Sequence, residues 1–136
     1  MIRKFFKVMV FCAIFLCSCG ADKDGGLPAE AVYRKISAEE AREIMQSAGN
    51  YILLDVRTEQ EYMENRIDGA VLIPDYELTA RAESELPDKN AVILIYCRSG
   101  RRSANAAQEL TDMGYMNIYD FGGILDWSYD TVSDYD

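Results

Sequence analysis

Six consecutive apolar residues, Ala91-Val92-Ile93-Leu94-Ile95-Tyr96, run without a break into Cys97. A strand with one face in water alternates apolar and polar side chains, so a run that is apolar throughout belongs in a sheet covered on both faces. Tyr51-Ile52-Leu53-Leu54, ending at Asp55, makes the same demand. Helix signals lie between these runs. Ser37-Ala38-Glu39-Glu40 and Thr58-Glu59-Gln60-Glu61 are capping boxes, in which a hydroxyl and a carboxylate satisfy the first N–H groups of a helix. The first predicts a helix to about residue 48 and the second a short helix to residue 65. Further strands are expected at 32–36, at 70–73 before Pro74, and at 117–120. Further helices are expected at 77–86, at 103–113 and, after Gly122-Gly123, at 124–129. Strands alternating with helices imply parallel β-α-β units. The expected fold class is α/β, a central, mostly parallel sheet with helices on both faces. A chain of 136 residues, 49% hydrophobic, has room for one such domain and not two.

Residues 1–18 stand apart from that domain. Arg3, Lys4 and Lys7 precede an apolar run over 8–16, the pattern of a signal peptide. The run is shorter than the roughly 20 residues a spanning helix requires. It ends in Leu16-Cys17-Ser18-Cys19-Gly20, which resembles a bacterial lipobox and makes Cys19 the expected site of lipidation, with Cys17 a departure from the usual pattern. Residues 19–31, rich in Gly and Asp and without apolar periodicity, are expected to form a flexible tether, 32–129 the domain and 130–136 an acidic tail. The expected location is a bacterial cell envelope, with the domain held to a membrane by its N-terminal lipid and facing the periplasm or the exterior. Removing 1–18 takes away three basic and no acidic residues and moves the formal charge from −9 to −12. Such an acidic chain is a poor candidate for binding nucleic acid.

Of the four cysteines, Cys12 and Cys17 would leave with the signal and Cys19 would carry lipid, so Cys97 remains as the free thiol. A single unpaired cysteine in an extracytoplasmic protein reads either as a buried structural residue or as a reactive one. The sequence contains no histidine, which removes Cys-His and Ser-His catalysis and most zinc sites, and no metal or cofactor is expected. Any activation of Cys97 must therefore come from its surroundings. Cys97 follows the most apolar strand and precedes the 103–113 helix, at the sheet edge where ligands of open α/β folds bind. The helix N-terminus offers unpaired N–H groups and partial positive charge, and a tight loop containing Gly100 can converge further N–H groups on one point. Arg98, Arg101 and Arg102 reverse the sign of the chain's charge locally. They read either as a solvated helix start or as partners for an anion. Since basic residues at a helix N-terminus oppose its dipole by about 0.3–1 kcal/mol each, an anion accounts for them better. The expectation is a Cys97 thiolate held by the loop without a base.

Cys97-Arg98-Ser99-Gly100-Arg101-Arg102-Ser103 resembles the rhodanese signature Cys-x-x-Gly-x-Arg-Ser. Leu54-Asp55-Val56-Arg57, then Glu61-Tyr62 and Ile67-Asp68-Gly69-Ala70, is similar to the upstream motif of that family, with Arg66 where histidine is usual. Gly122-Gly123-Ile124-Leu125-Asp126-Trp127 matches its closing Gly-Gly-x-x-x-Trp. The resemblance implies a single rhodanese-like domain that moves sulfane sulfur from thiosulfate or a persulfide to a thiol, or to cyanide, through a persulfide on Cys97. It implies a nest of N–H groups from Arg98 to Arg102, including Ser99 and Gly100, around that sulfur. Arg98 and Arg101 are candidates for steering the donor anion. Arg102 is expected to turn back and pair with Asp55, holding the loop. Asp55 and Arg57 read equally as supporting residues or as polar residues closing a buried strand, and Gly122, Gly123 and Trp127 as architecture. Two rivals differ in class. Cysteine phosphatases and arsenate reductases place five residues between cysteine and arginine, whereas four separate Cys97 from Arg102. A non-catalytic, membrane-tethered module would typically lack the cysteine that is present here.

Overall fold

The computed structural model describes residues 32–136. The expected signal peptide, the Cys19 lipidation site and the tether lie outside the described residues. Five strands, β1 (Arg34–Lys35), β2 (Ile52–Asp55), β3 (Val71–Leu72), β4 (Val92–Cys97) and β5 (Asn117–Gly123), form one sheet in the order β1-β5-β4-β2-β3. Every pairing is parallel, as the alternating pattern predicts.

The period of two along the strands divides the core into two layers. Leu54, Ile93, Ile95, Cys97 and Ile118 pack on one face against Leu78 and Ala82 of α3 (Leu78–Glu85) and Ala106, Ala107 and Leu110 of α4 (Arg101–Asp112). Leu53, Leu94, Tyr96 and Phe121 pack on the other against Ala41 of α1 (Ala38–Ser47), with Ile67 and Ile124. Full burial of a Leu or Ile side chain contributes about 1.5–3 kcal/mol, so β4, buried from Ile93 to Cys97, is the strand the fold can least lose. Both capping boxes form: the Ser37 hydroxyl accepts from the Glu40 N–H at 3.1 Å, and the Thr58 hydroxyl from the Glu61 N–H at 3.2 Å at the start of α2 (Glu59–Glu64).

The differences from expectation lie where hydrogen bonds are diverted. The helix after Cys97 starts at Arg101 instead of Ser103, because Gly100 at φ 100° turns the chain directly into it. The stretch expected as a helix from 77 opens as a 3-10 turn, Asp75–Glu77, after Pro74. No helix follows Gly123. A 3-10 turn, Ile124–Asp126, stands there instead, since the Leu125 N–H donates to the Arg98 carbonyl at 3.2 Å and a segment this short does not nucleate a helix unaided. β5 reaches three residues further than 117–120 and carries an irregularity: Ile95 pairs with Asp120, but Cys97 pairs with Gly123. One extra residue in β5 thereby lays Gly122 and Gly123 against the loop that follows Cys97. The acidic C-terminal residues fold back on the end of α2. Arg66 and Val132 exchange backbone hydrogen bonds at 2.8 Å each, and the Arg66 guanidinium meets Asp134 at 2.7 Å.

Candidate active site

Cys97 is the last residue of β4 and is 1% exposed, so its thiol lies beneath the loop rather than at an open mouth. The Gly100 N–H donates to Sγ at 3.0 Å, and the Ser103 hydroxyl stands 3.6 Å from it. Among the N–H groups expected to converge on Sγ, that of Gly100 is the one that makes a hydrogen bond to it. The Ser103 hydroxyl is also 3.2 Å from the Gly100 and Gly122 carbonyls, so one buried side chain ties the thiol, the loop and β5 together. A side chain at position 123 would collide with the Arg98 carbonyl, and one at position 100 would press on the Gly122 Cα at 3.3 Å. We expect Gly123→Ala to displace the loop, to lower thermal stability by about 1–3 kcal/mol and to slow alkylation of Cys97. Differential scanning calorimetry and an iodoacetamide time course check both.

Arg98, Ser99 and Arg101 are exposed on the loop, and Arg98 and Arg101 have no ion-pair partner among the described residues. Arg102 does not pair with Asp55. Its two terminal nitrogens grip Glu61, each at 2.8 Å, because Glu61 at the start of α2 faces the loop directly. Asp55 is instead taken by Arg57, two residues along, through contacts of 2.7 to 3.1 Å to the guanidinium, and by the Arg57 N–H at 2.9 Å. Both residues are buried, at 0% and 2% exposure. Burial alone would push the Arg57 charge off, but the hydrogen bonds and charge of Asp55 outweigh it and hold the guanidinium above its usual range. Arg57 also donates to the Asn65 carbonyl at 2.6 Å, so the pair locks β2 to the end of α2. Burial, reinforced by the negative charge of Asp55, raises the Tyr96 hydroxyl, which keeps it protonated while it accepts from the Ile67 N–H at 3.2 Å.

Glu61 and Ser103 were not among the residues singled out for the chemistry. Glu61 was legible as the third helical residue of a capping box and as part of the upstream motif, without a partner for its charge; one carboxylate oxygen accepts both from the Thr58 N–H at 3.0 Å and from Arg102. The Arg102 hydrogen bonds hold the Glu61 carboxyl down to about 2, against the opposing effect of burial and with help from Thr58. Glu61 in turn raises Arg102, whose charge also lies within range of Cys97. A carboxyl depressed in the folded state adds stability above its unfolded value, near 4.5, and that stability is lost as pH falls toward 2. Urea titrations over this window should give Glu61→Gln lower stability than the parent at neutral pH, with the two curves converging near pH 2. Parallel curves would deny the ion pair its role.

Among the described residues, no cluster of three or more His, Cys, Asp or Glu side chains is placed to hold a metal ion, and no helix is long and apolar enough to cross a membrane. Chemically, the arrangement offers a buried nucleophile with one fixed N–H donor, a rotatable hydroxyl and exposed cations on the rim. The model of the Rhodanese-like domain matches residues 37–130. Thiosulfate sulfurtransferase PspE of Escherichia coli is 37% identical over 73 residues, covering 54% of this chain and 70% of that protein. A sulfurtransferase of Allochromatium vinosum is 33% identical over 95 residues, covering 69% and 87%. The solved structure of a rhodanese with anions from E. coli superposes with a TM-score of 0.58 at 33% identity, covering 62% of this chain and 99% of that one. With the parallel sheet and the Cys97 loop, these matches make the chain a member of the rhodanese-like domain family.

Proposed function

We propose that this protein is a sulfurtransferase that carries sulfane sulfur on Cys97. In the first half-reaction the Cys97 thiolate attacks the outer sulfur of thiosulfate or of a persulfide. The bond from that sulfur to the rest of the donor breaks, sulfite or a thiolate leaves with the electron pair, and Cys97–S–S⁻ remains. In the second half an acceptor thiol, or cyanide, takes the outer sulfur and restores the thiolate. The observation that carries this reading is the Gly100 N–H donating to Cys97 Sγ at 3.0 Å beneath a loop whose rim bears Arg98 and Arg101, both exposed. The N–H stabilises negative charge on sulfur, and the two arginines draw an anionic donor to it. The Ser103 hydroxyl can rotate from the carbonyls toward Sγ as charge develops. The names of the relatives from E. coli and A. vinosum support the same chemistry. Phosphoryl or arsenate chemistry is disfavoured, since the position that the five-residue spacing assigns to arginine is Ser103, and the neighbouring Arg102 is committed through both terminal nitrogens to Glu61. Incubation with thiosulfate and cyanide should release sulfite and thiocyanate together in equal amounts. Sulfite without thiocyanate, or neither, would reject the proposal.

The N-terminal pattern adds a location to this reading: lipid on Cys19 would hold the domain at a membrane of the bacterial envelope, facing the periplasm or the exterior. Mass spectrometry of the protein recovered from membranes should find a diacyl or triacyl modification on an N-terminal Cys19. An unmodified terminus at any other residue would contradict it.

A further inference from the structure

A cleft of about 350 Å³ opens beside the loop, between Arg98 and the end of α2. Its charges fall into two classes. Arg57 is committed to Asp55 and Glu61 to Arg102, so these four residues cancel locally. Arg98 and Glu64 supply the rest: both are exposed, and neither has an ion-pair partner among the described residues. Among the described residues, Glu64 accepts a hydrogen bond from the neutral Gln60 amide, at 3.0 Å. Ile124 and Leu125 form an apolar wall, joined to Arg98 through the Leu125 N–H and following Gly123, which pairs with Cys97 at the end of β4.

Thiosulfate uses this cleft poorly. It would engage Arg98, be repelled by Glu64, leave the apolar wall uncovered, and leave empty most of a space that could hold on the order of ten waters at about 30 Å³ each. A ligand that satisfies all three features carries a carboxylate, an ammonium and a short apolar body.

We propose that the cleft is an acceptor subsite for a dipolar thiol of amino-acid type, with its carboxylate on Arg98, its ammonium on Glu64 and its methylene groups against Ile124 and Leu125. This rests on the sulfur-transfer reading and names the acceptor class for it. The acceptor thiol passes its proton to Cys97–S–S⁻, and its thiolate attacks the outer sulfur of the resulting Cys97–S–SH. The bond between that sulfur and Sγ breaks, its electron pair stays on Cys97, and the product R–S–SH carries the hydrogen away. No external oxidant or reductant is required.

The test compares sulfur transfer from the loaded protein to L-cysteine, N-acetyl-L-cysteine, L-cysteine methyl ester and 2-mercaptoethanol, in the parent, Glu64→Gln and Arg98→Gln. Ratios between variant and parent cancel the intrinsic nucleophilicity of each thiol. Glu64→Gln should lower kcat/KM for cysteine relative to N-acetylcysteine by about threefold to fivefold, the size of an exposed ion pair. Arg98→Gln should do the same for cysteine relative to its methyl ester. Ratios unchanged in both variants, with cyanide still accepting sulfur in the parent, would overturn the subsite and spare the sulfur-transfer reading. Failure of the parent to load any sulfur on Cys97 would overturn both.

Discussion

Cys97→Ser should reduce thiosulfate-dependent thiocyanate formation to the uncatalysed background while the domain stays folded. The nucleophile must be sulfur, because the intermediate is a bond between Sγ and the transferred atom, and a serine hydroxyl forms no equivalent persulfide. The structure makes this substitution a clean one. Position 97 is 1% exposed, serine is smaller than cysteine, and its oxygen can still accept from the Gly100 N–H. The cost is that of placing a hydroxyl in the layer formed by Ile95, Ala106 and Ala107, about 1 kcal/mol, or about 4–8 °C in Tm for a domain of this size. Turnover should therefore vanish with far more than that energy, a separation that only a chemical role produces. Activity persisting in the serine variant would place the chemistry elsewhere.

The largest loss of stability should follow Asp55→Ala. It would leave the Arg57 guanidinium buried opposite a void, with its contact to the Asn65 carbonyl but without a counter-charge. Removing one partner of a buried ion pair costs about 3–5 kcal/mol, a large share of the 5–15 kcal/mol typical of a whole domain. Removing both should cost less: Asp55→Leu with Arg57→Met should recover part of the loss, because no uncompensated charge remains. Urea unfolding of the single and double variants checks this. A double variant no more stable than Asp55→Ala would mean that the pair acts through the β2 to α2 connection and not through its charge.

How far the sequence anticipated this arrangement depended on the reach of each interaction. Strands and helices are set by local periodicity and by capping residues a few positions apart, so the two continuous apolar runs and both capping boxes were legible, and with them the parallel α/β fold. Cys97 and its loop were legible because they are contiguous. The partner of Arg102 was not, since Glu61 lies 41 residues away and competes with Asp55, another carboxylate near the loop. Asp55 itself was claimed by a neighbour, as Arg57 could reach it from two residues along. The extra residue in β5 and the loss of the final helix share one cause. Both depend on how Gly122 to Leu125 meet the Arg98 carbonyl, a contact across the sheet edge that no local pattern encodes. The placement of 130–136 against Arg66 was hidden for the same reason, as an acidic segment with few apolar residues shows no docking signal of its own.

The central claim is that Cys97 itself carries the sulfur, and it is tested by the mass of one peptide. Protein treated with thiosulfate and digested without reductant should give a Cys97 peptide heavier by one sulfur atom, and the addition should disappear on treatment with cyanide. A Cys97 peptide of unchanged mass in protein that is turning over thiosulfate would contradict the account.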